Sequence, residues 1–258
     1  MTDLSSPSPK GACRVLGISF FNGTLPALVQ RCREGGLAVI PSGPGLACDL
    51  PNDEAYEQAL READVVLPDS GLMVLFWRCF RLEKIQRISG YALLKSLLED
   101  DAIALESSFW VMPDPDQGEA NCRWLRKNIG REIDPDDVYE APLYSKQGPL
   151  EDLELLRRLK DRRPRWIFIN LGGGVQERLG LYLRRKLNHK TTIVCSGAAL
   201  AFLSGQQVGI PMWADRLFLG WFFRCVRNPS RFVPRYTRAW KLVWLLGRYG
   251  RRSPFRGK

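Results

Sequence analysis

Short apolar, β-branched runs recur along the first 205 residues, with helical patterns between most of them, and this alternation limits the chain to few folds. The predicted strands are "CRVLGISFF", "LAVIPSG", "DVVLPDS", "SSFWVMP", "DVYEAP", "RWIFINLGG" and "TTIVCSG". Thr24 is placed to cap "LPALVQRCREGG", and Asn52 to cap "DEAYEQALREA". "PLEDLELLRRLKDRR" opens with proline and acids and closes on bases, which suits a helix dipole. Strands alternating with helices predict an α/β fold, Rossmann-like, with a mostly parallel sheet covered by helices on both faces.

In such sheets ligands bind beyond the strand carboxyl ends, and two turns there carry chemistry. In "VVLPDSGLMV" a buried strand runs into Pro68-Asp69-Ser70-Gly71 and then an apolar helix. Two roles fit that position: Asp69 faces a cleft, or Asp69 or Ser70 caps the next helix. In "WIFINLGGGVQERLGLYL" a strand ends in Gly172, Gly173 and Gly174 before a helix whose first turn holds Gln176 and Glu177. Either the glycines let a phosphate approach the backbone and the helix N-terminus, or this is an ordinary tight turn with a dipole-friendly acid. The third glycine of the dinucleotide fingerprint is absent, and the turn is not a P-loop.

Other features are weaker. "PDPDQGE" and "DPDD" contain the D-x-D pattern that can hold a cation on a nucleotide diphosphate. Flanking prolines explain both as turns. His189 lies in a polar turn with no Cys/His cluster around it. Seven cysteines without C-x-x-C spacing point to free thiols in a reducing compartment.

Charge divides the chain. The net charge is +10, yet residues 206–258 hold 12 Lys/Arg against Asp215, while the other 205 residues carry 26 bases and 27 acids. The expected organisation is a disordered lead-in over 1–12, the α/β body over 13–205 and a basic, aromatic appendage over 206–258. Apolar runs fall short of the roughly 20 residues needed to span a bilayer, and "MTDLSSPSPKGACR" lacks the features of a signal peptide. A cationic end on a neutral body points to an anionic partner, lipid head groups or nucleic acid. The stretch "GWFFRCVRNPSRFVPRYTRAW", with Trp240 and Trp244 at and beyond its end, suits interfacial helices: aromatics at the head-group boundary, Arg/Lys against anionic lipid. No RNA-binding motif accompanies the basic end, so no nucleic-acid partner is expected.

Several of these stretches, in order, resemble the bacterial WecG/TagA/CpsF glycosyltransferases (family 26). "ADVVLPDSGLMV" resembles their "ADGxGvv" block, "RISGYALLKSLLED" their "RvxGxdLxxxLl", and "INLGGGVQERL" their "GxPkQE". "SGAALAFLSGQQVGIPMWADRLFLGWFFRCVRNPSRFVPRY" is similar to the family's long C-terminal pattern. The matched order runs from about Val15 to Tyr236.

The resemblance implies an inverting glycosyltransferase that moves an N-acetylmannosamine-type sugar from a UDP donor to a polyprenyl-diphosphate-linked saccharide in cell-surface polymer synthesis. It implies a Rossmann-like catalytic domain working without a metal or other cofactor. It also implies a C-terminal helical appendage that docks on the inner face of the cell membrane and closes over the site, with the cytoplasm as location and a homo-oligomer as an allowed state. Asp69 then matches the general base and Gln176 the donor pocket, beside Glu177 and the glycine turn. Arg224, Arg231 and Arg235 match the appendage arginines, expected at the diphosphate and the membrane. "PSGPG" (Pro41 to Gly45) stands where many members have a Thr/Asn pair, so Ser42 and Gly43 are expected at the donor. Departures surround this pocket: Asp69 is followed by Ser70, Gly71 and Leu72, and Gly174-Val175 replaces Pro-Lys.

Overall fold

In the computed structural model, which describes residues 12–104, 106–205, 225, 226 and 229–255, β1 (Ala12–Val15) and β2 (Ile18–Phe21) pair as an antiparallel hairpin. The strands β3 (Gly36–Val39), β4 (Val65–Val66), β5 (Ser108–Met112), β6 (Val138–Glu140), β7 (Trp166–Ile169) and β8 (Thr192–Val194) form a separate sheet in the order β4-β3-β8-β7-β5-β6. Every neighbouring pair in it is parallel. The helices are α1 (Leu25–Arg33), α2 (Glu54–Glu62), α3 (Gly71–Arg81), α4 (Gly90–Leu98), α5 (Asp101–Ala104), α6 (Pro115–Ile129), α7 (Leu153–Arg162), α8 (Val175–Lys186), α9 (Ala199–Leu203) and α10 (Pro229–Tyr249). A π-helical turn, Gly45–Asp49, follows β3, and a 3-10 turn, Pro135–Asp137, precedes β6.

The inner strands β5, β7 and β8 are buried throughout, and they are apolar at most positions, as parallel strands under helices must be. Side chains alternate between two cores. Leu37 and Val39 of β3, Phe109 and Val111 of β5, and Ile167 and Ile169 of β7 enter one, beneath the hairpin, α2, α3, α7, α8 and α10. Ala38, Trp110, Met112, Trp166 and Phe168 enter the other, beneath α1, α4, α6 and α9. Trp110 stacks on Phe168 at 4.4 Å between ring centroids.

Three expectations change. "CRVLGISFF" is a hairpin, not one strand of the parallel sheet: Leu16 and Gly17 have φ of 51° and 82°, the paired positive values that let a two-residue turn follow strand twist. Leu16 tolerates this while wholly buried. Asp53, not Asn52, caps α2, accepting from Ala55 N at 3.0 Å; Asn52 turns back to the Cys48 carbonyl. The helix expected from Pro149 starts at Leu153, where Asp152 accepts from Leu155 N at 2.8 Å. Thr24 caps α1 as expected, at 3.4 Å from Ala27 N.

Residues 206–224, 227, 228 and 256–258 of the expected appendage lie outside the described residues, as do 1–11 of the lead-in. The last turns of α10 belong to the core. Leu242, Leu245 and Leu246 are at most 2% exposed and share the cluster that holds Val39, Trp77 and Leu179. Beyond α10 the chain clamps the hairpin: Leu16 N donates to the Gly250 carbonyl at 2.8 Å and Gly17 N to the Arg251 carbonyl at 3.0 Å. Among the described residues no helix is long and apolar enough to cross a membrane.

Leu246→Ala is expected to lower unfolding free energy by about 2–5 kcal/mol. Trp240→Ala, on the outward side of the same helix, should change it by no more than about 0.5 kcal/mol. Urea unfolding of the two variants checks this, and equally small changes would mean that α10 contributes nothing to the core.

Candidate functional site

The carboxyl ends of β4, β3 and β7 bring the predicted turns together. After β3, Ser42 Oγ accepts from Gly45 N at 3.2 Å and the Ser42 carbonyl accepts from Leu46 N at 2.9 Å, which winds the chain into the π-helical turn. Gly43 lies so close to its neighbour that a β-carbon on it would be 3.1 Å from Ser70 Oγ. On the other side, a β-carbon on Gly173 would be 3.6 Å from Ser42 Oγ. Ser42–Gly43 is therefore the bridge between the Asp69–Ser70 turn and the glycine turn.

At the first turn the two roles fall to different residues. Ser70 caps α3, its Oγ accepting from Met73 N at 3.4 Å. Asp69 is left to a side-chain partner: its Oδ1 lies 3.3 Å from Arg87 Nη2, and Arg87 Nε donates to the Asp69 carbonyl at 2.8 Å. The Asp69 side chain is 31% exposed and that of Arg87 16%, so the carboxylate reaches solvent while its arginine is half hidden. Arg87 is not among the expected site residues. It opens "RISGYALLKSLLED", a block whose position in the sequence says nothing of contact with Asp69, 18 residues earlier.

At the second turn Gly174 needs to be glycine, with φ of 90°. Gly172 is open: a β-carbon there meets nothing within 4 Å. Both acidic and amide side chains of the first helical turn point inward. Glu177 is fully buried, and its Oε2 accepts from Gly174 N at 2.7 Å while Gln176 Nε2 donates to Oε1 at 3.2 Å. Glu177 thus holds the turn closed. Gln176 is 3% exposed, and its Oε1 is buried without a hydrogen-bond partner; a β-carbon on Gly197, after β8, would lie 3.5 Å from it. The Tyr56 hydroxyl is another buried orphan, beneath Gly45.

Arg178 fastens this floor. It is buried, and it donates to the carbonyls of Gly174 at 2.8 Å, Gly148 at 2.6 Å and Ser145 at 2.7 Å, with Asp53 at 3.7 Å. Burial pushes the Glu177 carboxyl up to about 7, opposed by the amide donors of Gln176 and Gly174 and aided by the nearby Asp49.

Of the predicted cationic residues, Arg224 lies outside the described residues. Arg231 and Arg235 fall on the first turns of α10, but their side chains lie outside as well. The D-x-D turns are caps: Asp114 accepts from Gln117 N at 2.8 Å at the start of α6, and Asp134 accepts from Asp136 N at 2.9 Å and pairs with Arg162. Among the described residues no group of three or more His, Cys, Asp or Glu is arranged to hold a metal ion. His189 Nε2 lies 3.2 Å from the Pro164 carbonyl oxygen.

Residues 13–256 match the family model described as Glycosyl transferase WecG/TagA/CpsF family. Two relatives are named N-acetylglucosaminyldiphosphoundecaprenol N-acetyl-beta-D-mannosaminyltransferase. The one from Bacillus spizizenii (strain ATCC 23059 / NRRL B-14472 / W23) is 24% identical over 209 residues, 79% of this chain and 78% of the relative. The one from Bacillus subtilis (strain 168) is 24% identical over 208 residues, 78% of each chain.

The Glu177 carboxyl favours the fold in its protonated form. Its contribution is complete below its ordinary 4.5 and is lost as pH rises through about 7. Between those limits the wild type should lose up to about 3 kcal/mol relative to Glu177→Gln. Denaturant unfolding of both proteins at pH 5 and pH 8 checks this, and parallel pH profiles would place the titration elsewhere.

Proposed function

The chain belongs to the WecG/TagA/CpsF family of glycosyltransferases, and on that premise we propose that it moves an N-acetylmannosamine-type sugar from a UDP donor to a polyprenyl-diphosphate-linked saccharide, inverting the anomeric carbon. The observation that carries this reading is the juxtaposition of the solvent-reaching Asp69 carboxylate with the open Gly172–Gly173 backbone across Ser42–Gly43. The relatives' shared name supplies the donor sugar and the acceptor class.

In this mechanism Asp69 takes the proton of the acceptor hydroxyl as its oxygen forms a bond to C1 of the donor sugar. The C1–oxygen bond to the nucleotide breaks on the opposite face, and UDP departs with the electron pair. Arg87 holds the Asp69 carboxylate in place. Developing charge on the leaving diphosphate is met by backbone N–H groups at the glycine turn and by Arg224, Arg231 and Arg235 of the C-terminal segment. Gln176, beneath the glycine turn with its Oε1 buried and unpartnered, belongs to the wall of the donor pocket. No metal enters the scheme. The protein works at the cytoplasmic face of the membrane, held there by the aromatic and basic C-terminal segment, which includes the exposed Trp240 and Trp244.

The test is a radiolabelled transfer assay of UDP-sugars against polyprenyl-diphosphate N-acetylglucosamine in vesicles, with wild type and Asp69→Asn, with and without EDTA. Wild-type transfer should survive EDTA, and Asp69→Asn should lower kcat by about 10²–10⁴-fold. Transfer that needs metal and tolerates Asp69→Asn would move the chemistry to Asp114 and Asp116.

A further inference from the structure

Helix α3 ends in two apolar side chains that contribute little to folding. Leu82, its C-cap, has φ of 53°, a left-handed position that favours glycine or asparagine, and its side chain is 87% exposed. Phe80 is 71% exposed, and its ring stacks on Phe76 at 4.6 Å.

The apolar surface continues onto α10. A β-carbon on Gly247 would lie 4.0 Å from the Phe76 ring. Trp240 and Trp244, one turn apart, are 69% and 58% exposed, and Gly247 follows them on the same stripe. An aromatic ridge therefore crosses from α10 to α3. Arg78, Arg81, Lys241 and Arg248 are exposed on the same two helices, and neither helix contains an acidic residue.

A contiguous exposed apolar surface of this kind marks an interaction site. The neighbouring Glu83 is paired with Arg251, so the exposed cations of the two helices select an anionic partner, and the aromatic centre needs an apolar phase that a soluble polyanion cannot provide. An anionic phospholipid surface offers both. We propose that α3 and α10 form one lipid-docking face, so that the body itself supplies part of the membrane contact. This rests on the lipid-linked-acceptor reading above and adds geometry to it. α3 starts directly after Asp69–Ser70, so lipid contact at its far end sets the carboxylate about 16 Å along the helix from that contact.

The test is flotation of the full chain with phosphatidylcholine vesicles, with and without phosphatidylglycerol, comparing wild type with the double variant Phe80→Ser/Leu82→Asn. Both side chains are exposed, and asparagine suits the φ of residue 82, so thermal unfolding should be unchanged. Wild type is expected to float with the anionic vesicles and the variant to bind them about 10–100-fold more weakly. The variant should keep its transfer to a short-chain, water-dispersible acceptor. Equal flotation of the two proteins overturns the role of α3 and leaves the transfer reading intact. Wild type that ignores anionic vesicles, or that forms oligomers in sedimentation which the variant does not, overturns lipid as the occupant. Flotation needs neither donor nor acceptor, so a failure of transfer alone bears only on the function proposed above.

Discussion

A guanidinium with no route to water must find all its partners where it lies, and Arg178 imposes that condition on the floor of the site. Its side chain is 1% exposed, and it draws three carbonyls and the Asp53 carboxylate around itself. Breaking such a group's neutralisation costs about 3–5 kcal/mol, so the glycine turn, the loop from Ser145 to Gly148 and the start of α2 are locked together. Asp53 serves twice, since the same carboxylate caps α2 through Ala55 and Tyr56. The turn exposed at Gly172 and Gly173 is thereby mounted on a buried, multiply bonded part of the chain. A transferase benefits from that arrangement, because dipoles fixed before the reaction need no reorganisation during it.

The legibility of this fold in the sequence follows from burial. Strands covered on both faces are apolar at successive positions, so "SSFWVMP" and "RWIFINLGG" stand out and their alternation with helices specifies a parallel sheet. The hairpin did not stand out because its turn, Leu16-Gly17, carries no polar residue; the chain turns there inside the core and is tied to Gly250 and Arg251, some 230 residues away. Local composition holds no trace of that contact. The choice of Asp53 over Asn52 as cap is of the same kind, since Asp53 is also the counter-charge of a distant arginine.

The C-terminal segment shows how an average hides a two-faced helix. Counted as a block, residues 206–258 are basic and aromatic, which points to a membrane-docking appendage distinct from the α/β body. Resolved by helical position, Leu242, Leu245, Leu246 and Tyr249 fall at the i, i+3, i+4, i+7 spacing of a core-facing stripe, while Trp240 and Trp244 lie outside it. The first three leucines join the core, and the tryptophans remain exposed. The site was partly legible for the same reason. The turns were visible as glycines and a strand-tip aspartate, whereas the partner that holds that aspartate, Arg87, depended on tertiary contact alone.

Two carboxylates at this edge of the sheet have opposite environments, and this separates their roles. Asp69 is partly exposed and held by an arginine, which suits the general-base role proposed for it. Glu177 is sealed beneath the turn, where burial raises its affinity for a proton and its oxygens are occupied by Gly174 N–H and the Gln176 amide. A proton acceptor for catalysis has to be reachable by substrate, and Glu177 is not. Its contribution is to shape: with Oε2 on Gly174 it sets where α8 begins, and with Oε1 on the Gln176 amide it leaves Gln176 Oε1 as the acceptor without a partner. The neighbouring Gln-Glu pair thus packs beneath the turn, the acid on the Gly174 backbone and the Gln176 amide on the acid. Leu242 of α10 lies within reach of Gly43, a β-carbon there being 4.0 Å from Leu242 Cδ2, so the bridge between the two turns rests on the same helix that carries Trp240 and Trp244 outward. Displacement of α10 therefore cannot leave Ser42–Gly43 unaffected, because close-packed contacts transmit such shifts.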